Sequence, residues 1–439
     1  MNTTPIASIL RPEAACACGH KHTTITEAVY TGSGALTNLA PFLKHLGTES
    51  VLFVYDTNTY AAAGKSIERV LSSTSAIACK NLVLDGTPHA DETTVKIITA
   101  EMIKTRATCA AAVGSGTISD LVKVAAFTCR IPYVGIATAA SMDGYLSANA
   151  TIITDGNKVP FSNINPPRAV FADPGILRTA PSRMTLAGLG DALGKITSLA
   201  DWKLNHLIRG ETYCNDTATM LRCEVAALLD NAQRADGDAG DDRFTEQLVR
   251  VLMLTGIAMQ RMGNSTPASG GEHCISHAME MKGYAERHEA PSLHGLQVAY
   301  GLGVTAAAYA AIFDASRAMS FAADNTAGLL ESHRTDWRSL KISMDDIISK
   351  KKDLYSTYCS AFASIRTRND DEDFSFLLHN NKRLGEIIGM YDLPKRASQI
   401  PLSERDASFA VTHAIDVRPR FNAVDLIAAA GIIDDYIFL

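Results

Sequence analysis

Three residues in the second half of the chain could hold a metal ion: Asp191, His273 and His294. Each stands at a helix start flanked by glycine or serine, in Gly188-Leu189-Gly190-Asp191, Ser269-Gly270-Gly271-Glu272-His273 and His294-Gly295. One hard carboxylate and two imidazoles suit a divalent cation, and three protein ligands leave positions open for substrate. His277 follows His273 by four residues, so the two share a helical face. Spacing leaves His277 open as a ligand or as a neighbour of the ligands. Histidines also act as caps or satisfied core groups, so residue types alone support only a candidate divalent site.

Two loops ahead of this set have the chemistry of a nucleotide site. Val113-Gly114-Ser115-Gly116-Thr117 follows the apolar run Cys109 to Val113 and opens a helix over Ile118 to Cys129. Glycines let the backbone approach a pyrophosphate, and the helix start presents N–H groups and a positive dipole to it. A tight turn is the alternative reading. Asp56 ends the run Ser50 to Tyr55 and is the candidate partner of the adenosine ribose. A carboxylate there disfavours a 2′-phosphate, which predicts NAD(H) over NADP(H). Its alternative role is an N-cap. The second loop, Thr138-Ala139-Ala140-Ser141-Met142-Asp143-Gly144, offers hydroxyls for a cofactor and Asp143 for a substrate hydroxyl.

The elements that must position these residues divide in two. Apolar runs at 50–55, 81–84, 109–113 and 133–137 alternate with helical stretches at 60–71 and 93–105. That alternation predicts a parallel, Rossmann-like sheet. Beyond the prolines at 166, 167, 174 and 181 the spacing is helical, over 184–204, 214–234, 244–261 and 295–315. The acidic stretch 236–242 reads as a solvated turn. The expected fold class is α/β, with an N-terminal nucleotide-binding domain over 1–180 and a C-terminal all-helical metal- and substrate-binding domain over 181–439.

Composition agrees with a soluble globular enzyme, at 46% apolar and 20% charged residues. A formal net charge of -6 argues against nucleic-acid binding. The first ten residues lack the pattern of a secretory signal, and the apolar stretch around 304–313 is too short to span a bilayer. A cytoplasmic protein without membrane association is expected. Nine scattered cysteines fit reduced thiols better than a disulfide framework. Cys16, Cys18, His20 and His22 alternate along the chain, as soft ligands of a second metal or as an ordered polar segment.

The motifs GSGTISD (114–120), TAASMDG (138–144), GLGDALGK (188–195), SGGEHCISHAME (269–280) and LHG (293–295) together resemble the iron-dependent alcohol dehydrogenase and dehydroquinate synthase-like superfamily. Within it the chain is most similar to the sn-glycerol-1-phosphate dehydrogenase family, especially its bacterial branch. The motifs run in family order across roughly residues 30 to 430, and Asp416-Val417-Arg418-Pro419-Arg420 fits the family's ending. The chain departs from the family in reading GSG where GGG is usual. The resemblance implies a dehydroquinate synthase-like fold and reversible NAD(P)H-linked reduction of dihydroxyacetone phosphate to sn-glycerol 1-phosphate. The alternative is a polyol dehydrogenase acting on an unphosphorylated substrate.

By resemblance, one divalent metal (Zn, Ni or Fe) sits on Asp191, His273 and His294. Gly114, Gly116, Thr117, Ile118, Ser119, Asp120, Thr138, Ala139, Ala140, Ser141 and Ser147 hold the cofactor. Asp143, His277 and Asp191 meet the substrate, with Asp191 and His277 carrying the catalysis. Lys195, one turn beyond Asp191, is a candidate for the substrate phosphate or a solvated lysine. A homo-oligomer is expected.

Overall fold

The structure, a computed structural model, describes residues 6, 10, 16–72, 77–154 and 157–437. The chain forms two compact units, Met1–Gly188 with Asp238–Asn264, and Leu189–Gly237 with Ser265–Leu439. Compared with a single cut after residue 180, this partition places the helix Asp242–Met262 with the sheet.

The first unit is built on six parallel strands. They are β1 (Ala28–Thr31), β2 (Ser50–Asp56), β3 (Ala78–Leu84), β4 (Cys109–Gly114), β5 (Tyr133–Ala137) and β8 (Ala169–Ala172), in spatial order β1-β8-β5-β4-β2-β3. An antiparallel pair, β6 (Ala150–Thr154) and β7 (Asn157–Phe161), lies outside that sheet. A parallel sheet covered on both faces needs near-continuous apolar strands. β2 shows why: Val51, Phe53 and Tyr55 pack into one core cluster, Leu52 and Val54 into the other. Helices α1 (Glu92–Lys104) and α2 (Gly116–Cys129) supply Ile98, Met102, Leu121 and Val122 to the second cluster.

The chain runs outward from β2 to β3, then crosses back over β2 to β4 and continues to β5. The direction therefore reverses between β2 and β4. Open parallel sheets bind ligands outside the strand ends at such a reversal. Asp56 ends β2 and Gly114 ends β4, so the fold brings both to that crevice.

The second unit is helical. After α3 (Ser182–Leu193) come α4 (Lys195–Arg209), α5 (Asn215–Ala235), α6 (Asp242–Met262, in the first unit), α7 (Gly271–Arg287) and α8 (His294–Ile312). Further helices are α9 (Asp324–Ser339), α10 (Asp345–Tyr358), α11 (Glu372–Met390), α12 (Glu404–Thr412) and α13 (Ala423–Ala429). One continuous helix over 184–204 is expected from spacing, but the structure has two, α3 and α4, meeting at Gly194. Among the described residues one helix, α8, is long and apolar enough to cross a membrane, and 83% of its apolar window is buried in the protein. It is the core helix against which α7 and α13 pack.

A buried pair in this unit carries a pH prediction. His413, 3% exposed, stacks on His333 at 3.8 Å and on Phe409 at 3.7 Å. Burial, then the neighbouring His333, pushes the His413 imidazole down to about 2, and Lys282 adds to this. The half-exposed Asp336 carboxylate, 3.4 Å away, does not reverse the shift. A folded value below the unfolded one gives stability that is present above the unfolded value and lost as pH falls toward the folded value. Between pH 7 and 5 this contribution falls by roughly 2 kcal/mol, from an unfolded value near 6.5. His413→Gln should flatten the Tm-against-pH curve over that interval, measured by thermal unfolding.

Candidate active site

In the first unit the glycine loop forms as its residue types require. Ser115 occupies the N-cap of α2 without a side-chain cap bond, and the first turn holds no acidic residue. That helix start therefore offers its N–H groups and dipole to an anion. Gly114 has to be glycine because a Cβ there would lie 2.5 Å from that of Ile118. Ile118 is itself a core residue, so only its backbone can serve a ligand, whereas Thr117 is exposed.

The second loop is fastened to the first. Thr138 N–H donates to Gly114 O (3.2 Å), and the Tyr145 hydroxyl donates to Ala139 O (2.7 Å). A Cβ on Gly188 would lie 1.9 Å from Ala140 O, so α3 rests directly on this loop's backbone.

Three of the expected cofactor and substrate residues have definite local bonds. Asp56 is an N-cap, its Oδ1 accepting Thr59 N–H at 2.8 Å. Asp120 accepts from Thr151 N–H (3.0 Å) and pairs with Lys123 (3.5 Å). Ser147 Oγ donates to Asn149 O (2.9 Å). Asp143 precedes the turn Gly144–Leu146. Sequence reasoning missed Lys123, which is fully buried and donates to Asn149 O (2.7 Å), Ser147 Oγ (3.1 Å) and Gly144 O (3.2 Å). It pins the segment after the second loop. A lysine on the apolar face of the 118–126 helix was the available signal.

In the second unit Asp191, His273, His277, His294 and Lys195 come together. His273 Nε2 lies 3.3 Å from Asp191 Oδ1, and Lys195 Nζ lies 3.0 Å from that oxygen. All three residues are buried. Glu272 accepts from His273 Nδ1 at 2.8 Å, so the neutral imidazole keeps its lone pair on Nε2, on the side of Asp191. A carboxylate fixing the far nitrogen is the usual support of a metal-bound histidine. Glu272 is fixed in turn by the Thr197 hydroxyl and Gly270 N–H, both at 2.7 Å.

The charges fit a cation. Burial opposes ionisation of Asp191, but Lys195 and then His273 outweigh it and hold the carboxyl well below its usual range. Burial and Lys195 oppose a proton on His273, yet Asp191 and Glu272 raise its affinity for one. The two carboxylates that favour a proton there would also favour a cation.

His294 is half-buried and turns Nδ1 toward Ser276 Oγ (3.2 Å) and Glu280 (3.4 Å). Its ring centre is 5.3 Å from that of His273 and 5.6 Å from that of His277. His277, Glu280 and His294 bring one ligand atom each within 4.8 Å of one another. Glu280 was missed, although it lies one further turn along the face that carries His273 and His277. His277 Nδ1 faces Glu280 (3.6 Å), and its Nε2 receives Arg418 Nη2 at 3.3 Å. Burial, with Arg418 adding to it, holds His277 below the usual imidazole value.

Lys195 is not a solvated lysine. It is fully buried and also donates to Ala268 O at 2.8 Å, which makes it a support for Asp191. A half-buried cation nearby is Arg418, which donates to the hydroxyls of Ser269 (2.9 Å) and Ser265 (3.2 Å). Arg420 lies alongside, bonded to Thr266 Oγ1 (3.0 Å) and Ser269 O. Burial and the neighbouring Arg418 push the Arg420 guanidinium below its ordinary value, so an anion between the two would relieve both. Asp201 was also missed. Burial, with Glu272 adding to it, raises its carboxyl to about 8, and it accepts from Gly271 N–H at the start of α7 (2.7 Å).

Gly190 explains how Asp191 and His294 can be neighbours. A Cβ there would lie 2.2 Å from Gly295 O and 2.9 Å from Ala299 Cβ, so only glycine lets α3 touch the start of α8. Gly190→Ala should destabilise the fold by about 1–3 kcal/mol and weaken metal binding by shifting His294. Thermal unfolding and metal titration check both effects.

The iron-containing alcohol dehydrogenase family matches residues 30–181. A glycerol-1-phosphate dehydrogenase (NAD(P)+) of Halalkalibacterium halodurans is 34% identical over 304 residues, covering 68% of this chain and 75% of that one. One from Pyrococcus furiosus is 36% identical over 282 residues, covering 64% and 77%. Among solved structures, sulfoacetaldehyde reductase of Bifidobacterium kashiwanohense, in complex with NAD+, superposes with a TM-score of 0.63 over 94% of this chain and 97% of its own, at 13% identity. A probable glycerol dehydrogenase of Sinorhizobium meliloti gives 0.58 at 15% identity, over 94% and 97%. These two likenesses establish the fold, a Rossmann-like sheet domain followed by a helical domain. With the relatives' identity and coverage added, the chain belongs to the glycerol-1-phosphate dehydrogenases of the iron-containing alcohol dehydrogenase family.

Proposed function

We propose that this chain catalyses the reversible NAD(P)H-linked reduction of dihydroxyacetone phosphate to sn-glycerol 1-phosphate, with one divalent metal ion and in the cytoplasm. The observation that carries this reading is the 34–36% identity to enzymes named for that activity. Asp191, His273 and His294 are assigned to the metal, whose positive charge would polarise the ketone oxygen while the nicotinamide supplies the hydride. The domain over 1–180 is assigned to the cofactor and that over 181–439 to metal and substrate.

The chain's own residues then have distinct tasks. Lys195 keeps Asp191 ionised, and Glu272 keeps His273 in the tautomer that offers Nε2. Gly114, Gly116, Thr117, Ile118, Ser119 and Asp120 line the pyrophosphate side, with Thr138 to Ser141 and Ser147 beside them. Asp143 and His277 meet substrate hydroxyls, and His277 is placed to pass a proton to the product oxygen. Arg418, rather than Lys195, takes the phosphate, because it is only half-buried where Lys195 is fully buried, and it lies beside the Ser265 and Ser269 hydroxyls.

Asp56 at the sheet's reversal point supports NADH over NADPH, since a carboxylate repels a 2′-phosphate. Asp56→Ala should raise the NADPH-to-NADH ratio of kcat/KM by about tenfold, equivalent to ~1.4 kcal/mol. It should also lower stability by about 1 kcal/mol through the lost cap. The deciding experiment compares dihydroxyacetone phosphate with dihydroxyacetone under NADH oxidation. Preference for the phosphorylated ketone supports the proposal, and equal or better turnover of the unphosphorylated one moves the enzyme to the polyol dehydrogenases.

A further inference from the structure

The segment ahead of the sheet carries a side-chain cluster that the dehydrogenase chemistry does not use. Cys16, Cys18 and His22 bring two thiol sulfurs and an imidazole nitrogen within 4.8 Å of one another. Cys18 Sγ lies 3.2 Å from His22 Nε2. Around a tetrahedral zinc ion, a sulfur and a nitrogen ligand stand about 3.5 Å apart, given Zn–S and Zn–N bonds of roughly 2.3 and 2.0 Å. None of the nine cysteines is in a disulfide. His20, the fourth member of the alternating set, is exposed.

The backbone builds the arrangement. Gly19 N–H donates to Cys16 O at 2.9 Å, closing a turn around the two thiols. Gly19 sits at φ +80°, where a side chain would be strained. The following chain is anchored to α6 and to the loop before β8. Ile25 N–H donates to Gln260 Oε1 (3.0 Å), and the Thr26 hydroxyl to Pro167 O (2.7 Å).

His22 supplies the decisive detail. It is 2% exposed, and its Nδ1 lies 2.9 Å from Arg261 O. A carbonyl only accepts, so Nδ1 bears the hydrogen and Nε2 turns its lone pair to the sulfurs. A backbone carbonyl holding the far nitrogen is how metal-bound histidines are oriented.

We propose that Cys16, Cys18 and His22 form a second metal site, for zinc or another thiophilic divalent cation, that fastens this segment to the sheet unit. Two thiol protons leave on binding, and the metal takes two thiolates and one neutral imidazole. Its remaining coordination position goes to water or a further donor. The site is independent of Asp191, His273 and His294, which contain no sulfur.

That difference makes the test direct. The full-length enzyme is loaded with cobalt(II), and its metal content and near-ultraviolet spectrum are measured. The wild type should hold two ions per chain and show a thiolate-to-cobalt charge-transfer band. His273→Ala should keep the band and at least one ion. The double variant Cys16→Ser, Cys18→Ser should lose the band and one ion while retaining ketone reduction. Absence of the band from both the wild type and His273→Ala would overturn the proposal, as would its persistence in the double cysteine variant. The first two samples decide the question even if the cysteine variant fails to fold.

Discussion

An Asp191→Asn enzyme should lose its metal and reduce dihydroxyacetone phosphate on the order of a thousandfold more slowly or worse. Asparagine has nearly the same shape but no charge. The catalytic part of the effect follows from the ion's Lewis-acid role, worth several kcal/mol at the developing alkoxide, and a thousandfold corresponds to ~4 kcal/mol. A second effect is separable from it. Lys195 Nζ is fully buried and paired with Asp191 Oδ1 at 3.0 Å. Removing one partner of a buried pair leaves an uncompensated charge and costs about 3–5 kcal/mol. The double variant Asp191→Asn, Lys195→Met should therefore recover much of the lost stability without recovering activity. If its activity returned with its Tm, Asp191 would be a structural residue rather than a ligand. Glu272→Gln tests the next layer outward, with an expected 10–100-fold loss in metal affinity because His273 loses its tautomer anchor.

Arg418→Ala should raise KM for dihydroxyacetone phosphate about 10–100-fold, the equivalent of losing a charged hydrogen bond worth ~1.5–3 kcal/mol. The KM for unphosphorylated dihydroxyacetone should hardly change, because that ketone has no anion for Arg418 to meet. Arg418→Lys should recover only part of the loss. A lysine keeps the charge but not the planar fork that now reaches Ser265, Ser269 and His277 together. Steady-state kinetics on both ketones separates these outcomes. An equal KM change for the two would assign Arg418 to holding the loop around Ser269 instead. Lys195→Met offers the converse comparison: it should act on metal retention and kcat, since Lys195 touches Asp191 and Ala268 rather than open space.

Most of the architecture was legible because it rests on local signals. Apolar runs for β2, β4 and β5 are uninterrupted, as strands covered on both faces must be. The glycine loop and the SGGEH helix start announce themselves by composition, whereas GLGD, read from the sequence as a helix start, lies in the last turns of α3 (Ser182–Leu193). The short edge strand Ala28–Thr31 and the strand Ala169–Ala172 carry only four residues each, too few to show a period. The break between α3 and α4 was hidden because Gly194 keeps a helical backbone, φ −54° and ψ −22°.

The site divides in the same way. His273 and His294 are readable as residue types at helix starts, and Asp191 as a glycine-flanked carboxylate, although it sits near the C-terminal end of α3. Their supports are not, because they arrive from distant sequence. Arg418 reaches His277 across 141 positions and Thr197 reaches Glu272 across 75. Lys195 illustrates the limit: its spacing from Asp191 is visible in the sequence, but its burial is not. That burial turns a candidate phosphate contact into a support of the ligand. Asp56 likewise shows a role that spacing alone left open, since one of its oxygens caps the turn at Thr59.

The most direct test of the account is the NADH-linked reduction of dihydroxyacetone phosphate by metal-depleted enzyme, titrated back with zinc, nickel or iron, with chiral analysis of the product. Metal-free enzyme should show no turnover, metal addition should restore it in the wild type but not in Asp191→Asn, and the product should be sn-glycerol 1-phosphate. Turnover unaffected by metal removal would overturn the assignment of Asp191, His273 and His294, and sn-glycerol 3-phosphate as the product would overturn the proposed reaction.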